Sequence, residues 1–128
     1  MFRTGFVNLY TADIEAALGF YRGLLGFEET FRTPKEGVPT HVELTLNGFM
    51  LGLGTVEAAK RVHGVDAEPG RPAMVIVVWT DDVEEAFERL RAAGTQVLMP
   101  PHDTGNNNRK ALLCDPDGNL VEIVAKTA

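Results

Sequence analysis

Three residues of this sequence carry side chains that can bind a metal ion or move a proton. His41 and Glu43 lie two positions apart in one apolar stretch, and Glu122 lies in another near the end of the chain. Histidine nitrogens and carboxylate oxygens are common ligands of divalent transition metals, and both groups also act as general acids or bases. His41, Glu43 and Glu122 could therefore form a divalent-metal site if the fold brings them together.

Glu122 is surrounded by apolar neighbours in Leu120-Val121-Glu122-Ile123-Val124. A carboxylate buried there without a partner loses the hydration that stabilises its charge. Glu122 could anchor a ligand or act as a general base, or it could be satisfied by Asn, Arg or backbone donors. The other histidines, His63 and His102, lie in sequence typical of loops, and we expect them at the surface.

The polar stretch from His102 to Lys110, HDTGNNNRK, has no helical pattern and predicts a mobile loop beside a binding site. Arg109 and Lys110 could bind a carboxylate or phosphate group of a ligand. Gly105 lies in no phosphate-binding fingerprint, so a solvated loop is the alternative interpretation.

An internal repeat indicates how these residues are positioned. Residues 9–18 (LYTADIEAAL) align with residues 78–87 (VWTDDVEEAF), and residues 47–52 (NGFMLG) align with residues 117–122 (DGNLVE) at nearly the same spacing. The first pair predicts a strand, an Asp-capped turn and an amphipathic helix. The second pair predicts a two-residue hairpin turn that enters a strand. The chain therefore consists of two similar halves.

Each half is predicted to contain four strands and one helix. Asp13 and Asp82 are predicted N-caps, Glu85 completes a capping box with Asp82, and Gly26 and Gly94 end the helices. We expect a single domain over residues 1–128, with halves at 1–54 and 73–128 joined by a linker at 55–72. The predicted strands are 5–11, 27–33, 40–46, 49–54, 74–80, 96–99, 110–114 and 119–125.

Two motifs resemble signatures of the glyoxalase / bleomycin-resistance / dioxygenase (vicinal oxygen chelate) superfamily. Residues 13–27, DIEAALGFYRGLLGF, are similar to its opening D-x-x-x-(S/A)-x-x-F-Y-x-x-x-L-G-F signature. Residues 114–123, CDPDGNLVEI, are similar to its closing D-P-D-G-N-x-x-E-(I/L) signature. The resemblance implies an α+β fold of two βαβββ modules that form a curved mixed sheet. This sheet would be an open barrel with helices on the convex face and a ligand cavity on the concave face.

Strand alternation then predicts which side chains face that cavity. In the first strand, Val7 and Leu9 would face the helix. By the repeat, Val75 and Val77 would line the other side of the cavity together with Trp79. Aromatic walls favour a flat or cationic ligand, although these rings could equally be ordinary core residues. The candidate ligand-binding residues are Phe6, Asn8, Tyr10, His41, Glu43, Phe49, Trp79, Arg109 and Glu122.

The metal ligands that the resemblance implies are mostly missing. Family metalloenzymes take one ligand from the first and one from the last strand of each half. In this sequence the first three of those places hold Phe6, Val75 and Gly52, and only Glu122 keeps a donor. Transition metals usually need three or more protein ligands. We therefore expect no metal or other cofactor, with a divalent metal at His41, Glu43 and Glu122 as the alternative.

The leading functional hypothesis is metal-free binding or sequestration of a small aromatic or cationic molecule. The resemblance implies a homodimer, to whose interface Phe2, Phe6 or the first strand could contribute. The alternative is a lyase, isomerase or dioxygenase with a divergent metal site, or with Glu122 as general base. A module that binds a protein partner is a third interpretation.

Composition restricts the class of partner. The net charge of −6 and pI near 5.0 oppose nucleic-acid binding. No apolar run approaches the roughly 20 residues of a membrane span, and the N-terminus has no signal-peptide pattern, so a cytoplasmic protein is expected. The single Cys114 excludes an internal disulfide, and we expect it to be buried.

Overall fold

The computed structural model describes residue 1, residues 3–105 and residues 107–127. Phe2, a predicted interface residue, and Asn106, within the predicted loop, lie outside the described residues. The chain forms two compact units, Met1–Pro69 and Gly70–Ala128. Each unit contains one four-stranded mixed sheet in the order strand, helix, strand, strand, strand. The predicted α+β fold of two βαβββ modules is confirmed.

The first unit has the sheet order β1-β4-β3-β2, with β1 parallel to β4 and the other neighbours antiparallel. Its first helix begins as an α-helix and continues as a π-helix over Gly19–Leu24. A second helix lies in the segment predicted as a linker. The elements are β1 (Val7–Thr11), α1 (Ile14–Leu18), β2 (Glu28–Thr33), β3 (His41–Leu46), β4 (Phe49–Thr55) and α2 (Val56–His63).

The second unit repeats this plan with the sheet order β5-β8-β7-β6 and β5 parallel to β8. Its elements are β5 (Val75–Trp79), α3 (Val83–Ala92), β6 (Val97–Asp103), β7 (Asn108–Cys114) and β8 (Leu120–Lys126). Strand β6 is longer than predicted, and β7 begins earlier. The predicted loop from His102 to Lys110 is shorter than expected, because His102 and Asp103 pair with Lys110 and Arg109 inside the sheet.

In each unit, alternate strand residues pack against the helices and form the core. Leu9 of β1 is 6% exposed, whereas Tyr10, its neighbour, is 39% exposed. Buried side chains also occur in β3, β4, β5, β7 and β8, and in β3 and β5 they alternate as strand geometry predicts. The buried strand residues include Leu9, Val42, Leu44, Leu51 and Leu53 in the first unit and Ile76, Val78, Leu113, Val121 and Ile123 in the second.

Both main helices begin with the same hydrogen-bond arrangement, which confirms the repeat. Asp13 Oδ1 accepts from the Ala16 backbone N–H at 3.1 Å, and Asp82 Oδ1 accepts from that of Glu85 at 3.1 Å. The Asp82 backbone N–H donates to the Thr80 hydroxyl at 3.3 Å, the contact that a capping box would give to the Glu85 side chain. A threonine two residues upstream thus takes the place of the predicted glutamate.

The two predicted hairpin turns differ. Asn47 and Gly48 both have positive φ, 46° and 90°, as a two-residue turn requires. Between β7 and β8 the connection is longer, and Asp115 organises it by accepting backbone N–H bonds from Asp117 at 2.9 Å and Asn119 at 2.8 Å. The prediction of a two-residue turn at Asp117-Gly118 was therefore wrong. The D-P-D-G-N motif of this chain builds a turn.

Candidate functional site

The face of the first sheet that lies away from the helices gathers several of the predicted site residues. Strand pairing places Asn8 beside Gly52, and Gly52 beside Glu43. One row further, Tyr10 and His41 both pair with Gly54. Paired residues share a face of a sheet, so four predicted residues, Asn8, Tyr10, His41 and Glu43, lie on one face.

At the centre of this face His41 and Glu43 form a pair. His41 Nε2 lies 2.9 Å from Glu43 Oε2. An ionised carboxylate only accepts hydrogen bonds, so Nε2 donates, and Nδ1 is the acceptor of the neutral ring. Phe6 and Phe31 flank the imidazole, with ring centroids 6.5 Å and 6.2 Å from that of His41. A polar pair is therefore set between two aromatic rings that are 44% and 45% exposed.

Phe31 was not among the predicted site residues. The register of β2 shifts between Glu29 and Phe31, and Phe31 then pairs with Glu43. A bulge changes which face a side chain occupies, and the alternation of the β2 sequence alone does not reveal it. The sequence signal that remained was an aromatic residue in an otherwise polar strand.

Gly52 leaves the space that two of these side chains occupy. A Cβ atom at this position would overlap Asn8 Oδ1 and would lie 2.9 Å from Phe6 Cε2. Asn8 and Phe6 therefore lie across the backbone of β4, as a glycine in a strand often permits.

Phe49 does not lie on this face, which corrects its predicted place in the cavity wall. It pairs with Leu46 and lies two residues before the buried Leu51 in β4, so the two side chains share a face of the strand. Its ring makes an edge-on contact with Phe27, with centroids 5.9 Å apart. Phe49 is thus part of the helix-side packing of the first unit.

In the second unit, the corresponding face of β5 carries Val75, Val77 and Trp79. Trp79 is 59% exposed, and the Lys126 ammonium lies 5.2 Å from its ring centroid. One face of the indole therefore already holds a cation.

A pocket of about 240 Å³ lies on the same sheet beside Glu122. Lys110 Nζ lies 3.3 Å from Glu122 Oε2, and both side chains are partly exposed. Glu122 is thus paired with a lysine, a partner that the sequence analysis did not name for it. Residues that line the pocket are Met99, His102, Thr104, Lys110, Ala111, Leu112 and Glu122.

Arg109, a predicted ligand-binding residue, is held in ion pairs. Its Nε donates to Glu84 of α3, and its Nη1 lies 3.2 Å from Asp103 Oδ1. The Glu84 hydrogen bond raises the pKa of Arg109 above its ordinary value. These contacts lie along a wider groove of about 650 Å³ at the start of α3, whose lining also includes Asp81, Asp82 and Lys126. Arg109 joins α3 to the β6–β7 hairpin in this arrangement.

Within each unit, the described residues include no group of three or more His, Cys, Asp or Glu side chains that could hold a metal ion. The first unit offers His41 and Glu43, which bond to each other, and Phe6 and Gly52 occupy two of the family's ligand places. This donor set does not fit the metal site of the family's enzymes. No helix in the described part of the chain is both long and apolar enough to cross a membrane.

Comparison with known proteins gives a family match and several individual relatives. A model of the Glyoxalase/Bleomycin resistance protein/Dioxygenase superfamily matches residues 3–123. The protein CFP32 of Mycobacterium bovis, which is named as a glyoxylase, is 30% identical to this chain. The match covers 91% of this chain and 43% of CFP32. The anthracycline biosynthesis protein DnrV of Streptomyces peucetius is 27% identical over 93% of this chain and 45% of its own length.

The chain thus spans less than half the length of these two relatives. Among solved structures, a glyoxalase/bleomycin resistance protein/dioxygenase from Nocardioides has a TM-score of 0.75 and 27% identity. That match covers 98% of this chain and 85% of the other.

Proposed function

This chain belongs to the Glyoxalase/Bleomycin resistance protein/Dioxygenase superfamily, and we propose that it binds and sequesters a small aromatic molecule without a metal ion. The observation that carries the proposal is the exposed aromatic pair around His41 in the first unit. Phe6 and Phe31 are each nearly half exposed, on the face of the sheet that the unit's own helices leave uncovered. Large exposed apolar groups beside a few fixed polar groups are typical of small-molecule sites.

Polar groups of both units are already in contact with other groups of the chain. His41 Nε2 donates to Glu43 Oε2 at 2.9 Å, so this carboxylate oxygen is already engaged. In the second unit the Lys126 ammonium lies over Trp79, and a cationic ligand would have to displace it. The Lys126 contact favours an uncharged aromatic ligand over the cationic one that the sequence left open.

The missing metal donors support binding without metal. The family's ligand places at Phe6, Val75 and Gly52 hold residues that cannot coordinate a cation, and Glu122 is paired with Lys110. The name of the relative DnrV points to anthracyclines, which contain flat hydroxyquinone rings. Fused aromatic rings of this kind are therefore the first ligands to test.

The test is calorimetric titration of the protein with alizarin, a dihydroxyanthraquinone, after purification without chelator or metal-affinity resin. We expect binding at no more than trace metal content, measured by mass spectrometry on the same sample. Phe31→Ala should weaken alizarin binding by about fivefold to tenfold, since one aromatic contact is worth about 1 kcal/mol. Val38→Ala, at an exposed residue of the β2–β3 connection, is the matched control.

Two results would contradict the proposal. One is the absence of binding by alizarin and by smaller aromatics such as naphthol. The other is about one Mn, Fe, Ni or Zn ion per chain that survives dialysis and is needed for binding, which would favour the divalent-metal alternative.

We also propose that the chain acts as a homodimer, as its family resemblance implies. Size-exclusion chromatography with light scattering should give twice the chain mass of 14.0 kDa. A mass of one chain at micromolar concentration would exclude this assembly.

A further inference from the structure

The pocket beside Glu122 is lined by both Met99 and His102. In a regular strand, residues three positions apart would face opposite sides of the sheet. Met99 of β6 pairs with Leu112 of β7, and His102 pairs with Lys110. The two β6 residues are three positions apart along the chain, whereas their β7 partners are only two positions apart. The register therefore shifts between Met99 and His102, and this bulge lets both side chains line the same pocket.

Pro100 and Pro101 occupy the bulge. Proline has no backbone N–H and cannot donate to a strand ladder, so it is confined to edges and irregularities of sheets. Strand β6 is an edge strand of its sheet. The Pro-Pro pair thus fixes the irregularity that brings His102 beside Lys110 and Glu122.

The same segment also fixes the tautomer of His102. Its Nδ1 lies 2.8 Å from the Pro100 carbonyl oxygen, which can only accept, so Nδ1 carries the proton. In the neutral ring, Nε2 is then a hydrogen-bond acceptor. Lys110 supplies hydrogen-bond donors. Its ammonium group has three N–H bonds, and the contact with Glu122 uses one of them.

The size of the pocket sets the size of the group it takes. Its volume of about 240 Å³ exceeds the roughly 150 Å³ of an engineered cavity that binds benzene, and it is smaller than typical pockets for drug-sized ligands. Met99 and Leu112 provide apolar walls, and a methionine sulfur packs favourably against aromatic rings. One aromatic ring with its substituents fits this space.

We infer that this pocket is a specificity subsite for a ring bearing a hydroxyl and a carbonyl group. The ligand hydroxyl donates to His102 Nε2, and the ligand carbonyl accepts from Lys110. Glu122 holds the lysine in place through their 3.3 Å contact. The inference rests on the proposed function. It adds the chemical class of the ligand and names His102 and Lys110 as the residues that recognise it.

The experiment compares matched small ligands by NMR titration, which measures the weak affinities expected of single-ring compounds. Meta-hydroxyacetophenone carries both groups, acetophenone lacks the hydroxyl, and meta-ethylphenol lacks the carbonyl. We expect meta-hydroxyacetophenone to bind about fivefold more tightly than either, the effect of one neutral hydrogen bond. The His102 ring signals should shift with the two hydroxyl-bearing ligands and much less with acetophenone.

The variants separate recognition from general structure. His102→Phe should remove the preference over acetophenone and leave acetophenone affinity unchanged, whereas His102→Gln, which retains an acceptor, should keep part of the preference. Lys110→Met should remove the preference over meta-ethylphenol. His63→Phe makes the same change at an exposed histidine of α2 and should alter neither ratio.

The outcomes distinguish the inference from the proposed function. If alizarin binds but the wild-type protein does not discriminate among the small ligands, or if His102→Phe keeps the preference, the subsite assignment is wrong and the proposed function stands. If neither alizarin nor any single-ring ligand binds, both are wrong.

Discussion

Asn119 holds Gly70 against the turn between β7 and β8, because its side-chain oxygen accepts the Gly70 backbone N–H at 2.9 Å. The amide nitrogen of the same side chain donates to Asp115 Oδ2 at 2.9 Å. One asparagine therefore connects the start of the second unit to the aspartate that organises the turn. In this chain the D-P-D-G-N motif fixes backbone geometry at both of its ends.

The first prediction concerns Gly70, which has a φ of +84°. A Cβ atom there would overlap the Asp117 carbonyl oxygen, so Gly70→Ala combines strained backbone with a clash against backbone. We expect a loss of about 2 to 4 kcal/mol in the free energy of unfolding, measured with urea. Gly94→Ala is the matched control, because its φ is +89° and no atom lies within 4 Å of the new Cβ. Equal losses in both variants would show that the clash does not matter.

The second prediction concerns Gly52. Gly52→Ala should lower the free energy of unfolding by about 1 to 2 kcal/mol, since Asn8 and Phe6 must move. In an Asn8→Ala background the loss should shrink by at least about 0.5 kcal/mol, which a double-mutant cycle measures. Gly54→Ala, on the same face with no atom within 4 Å, should change stability little. Strict additivity of the Asn8 and Gly52 changes would rule out the contact.

The third prediction concerns Glu29 of β2. The Arg32 hydrogen bond, helped by Arg22, lowers the pKa of the Glu29 carboxyl below its ordinary 4.5. The resulting stability is therefore fully present above pH 4.5 and is lost as the pH falls through the lower folded-state pKa. Glu29→Gln should cost about 0.5 kcal/mol near neutral pH, and the difference from wild type should close in acid. Glu36→Gln, in an exposed connection, is the control, and a difference that persists in acid would contradict this assignment.

The fourth prediction concerns Cys114. Burial, and then the charge of Asp115, raise the pKa of its thiol above the ordinary 9.0, so little of the reactive thiolate forms. Iodoacetamide at mildly alkaline pH should modify the native protein at least about tenfold more slowly than the urea-unfolded chain. Mass spectrometry measures the rate of modification. Rapid modification of the native protein would show that the end of β7 opens readily.

Local patterns predicted most of the fold, because the signals that set it are local. The Asp13 and Asp82 caps, the Asn47-Gly48 turn and the strand alternation around Leu9 all depend on neighbouring residues. The placement of Phe49 in a cavity wall was wrong for a reason the sequence contained. A two-residue turn pairs Leu46 with Phe49, so both must share a face.

The site residues that the prediction missed depend on bulges. Phe31 and His102 lie on their faces because β2 and β6 shift register, and a strict two-residue period does not anticipate such shifts. Pro100-Pro101 was the one visible sign of an irregular strand. The Lys110–Glu122 contact in turn follows from neighbouring strands and depends on their register.

The bulges of β2 and β6 also bear on how the chain avoids self-association during folding. Each lies in a strand at the edge of its own four-stranded sheet. A regular edge offers an even row of backbone donors and acceptors to which a strand from another chain can add, and that addition starts aggregates. In β6 this row is interrupted by two register shifts, and Pro100 and Pro101 have no backbone N–H to donate. A strand from another chain therefore cannot form a continuous set of hydrogen bonds with β6. Replacing Pro100 and Pro101 to regularise the strand would thus remove a protection against aggregation.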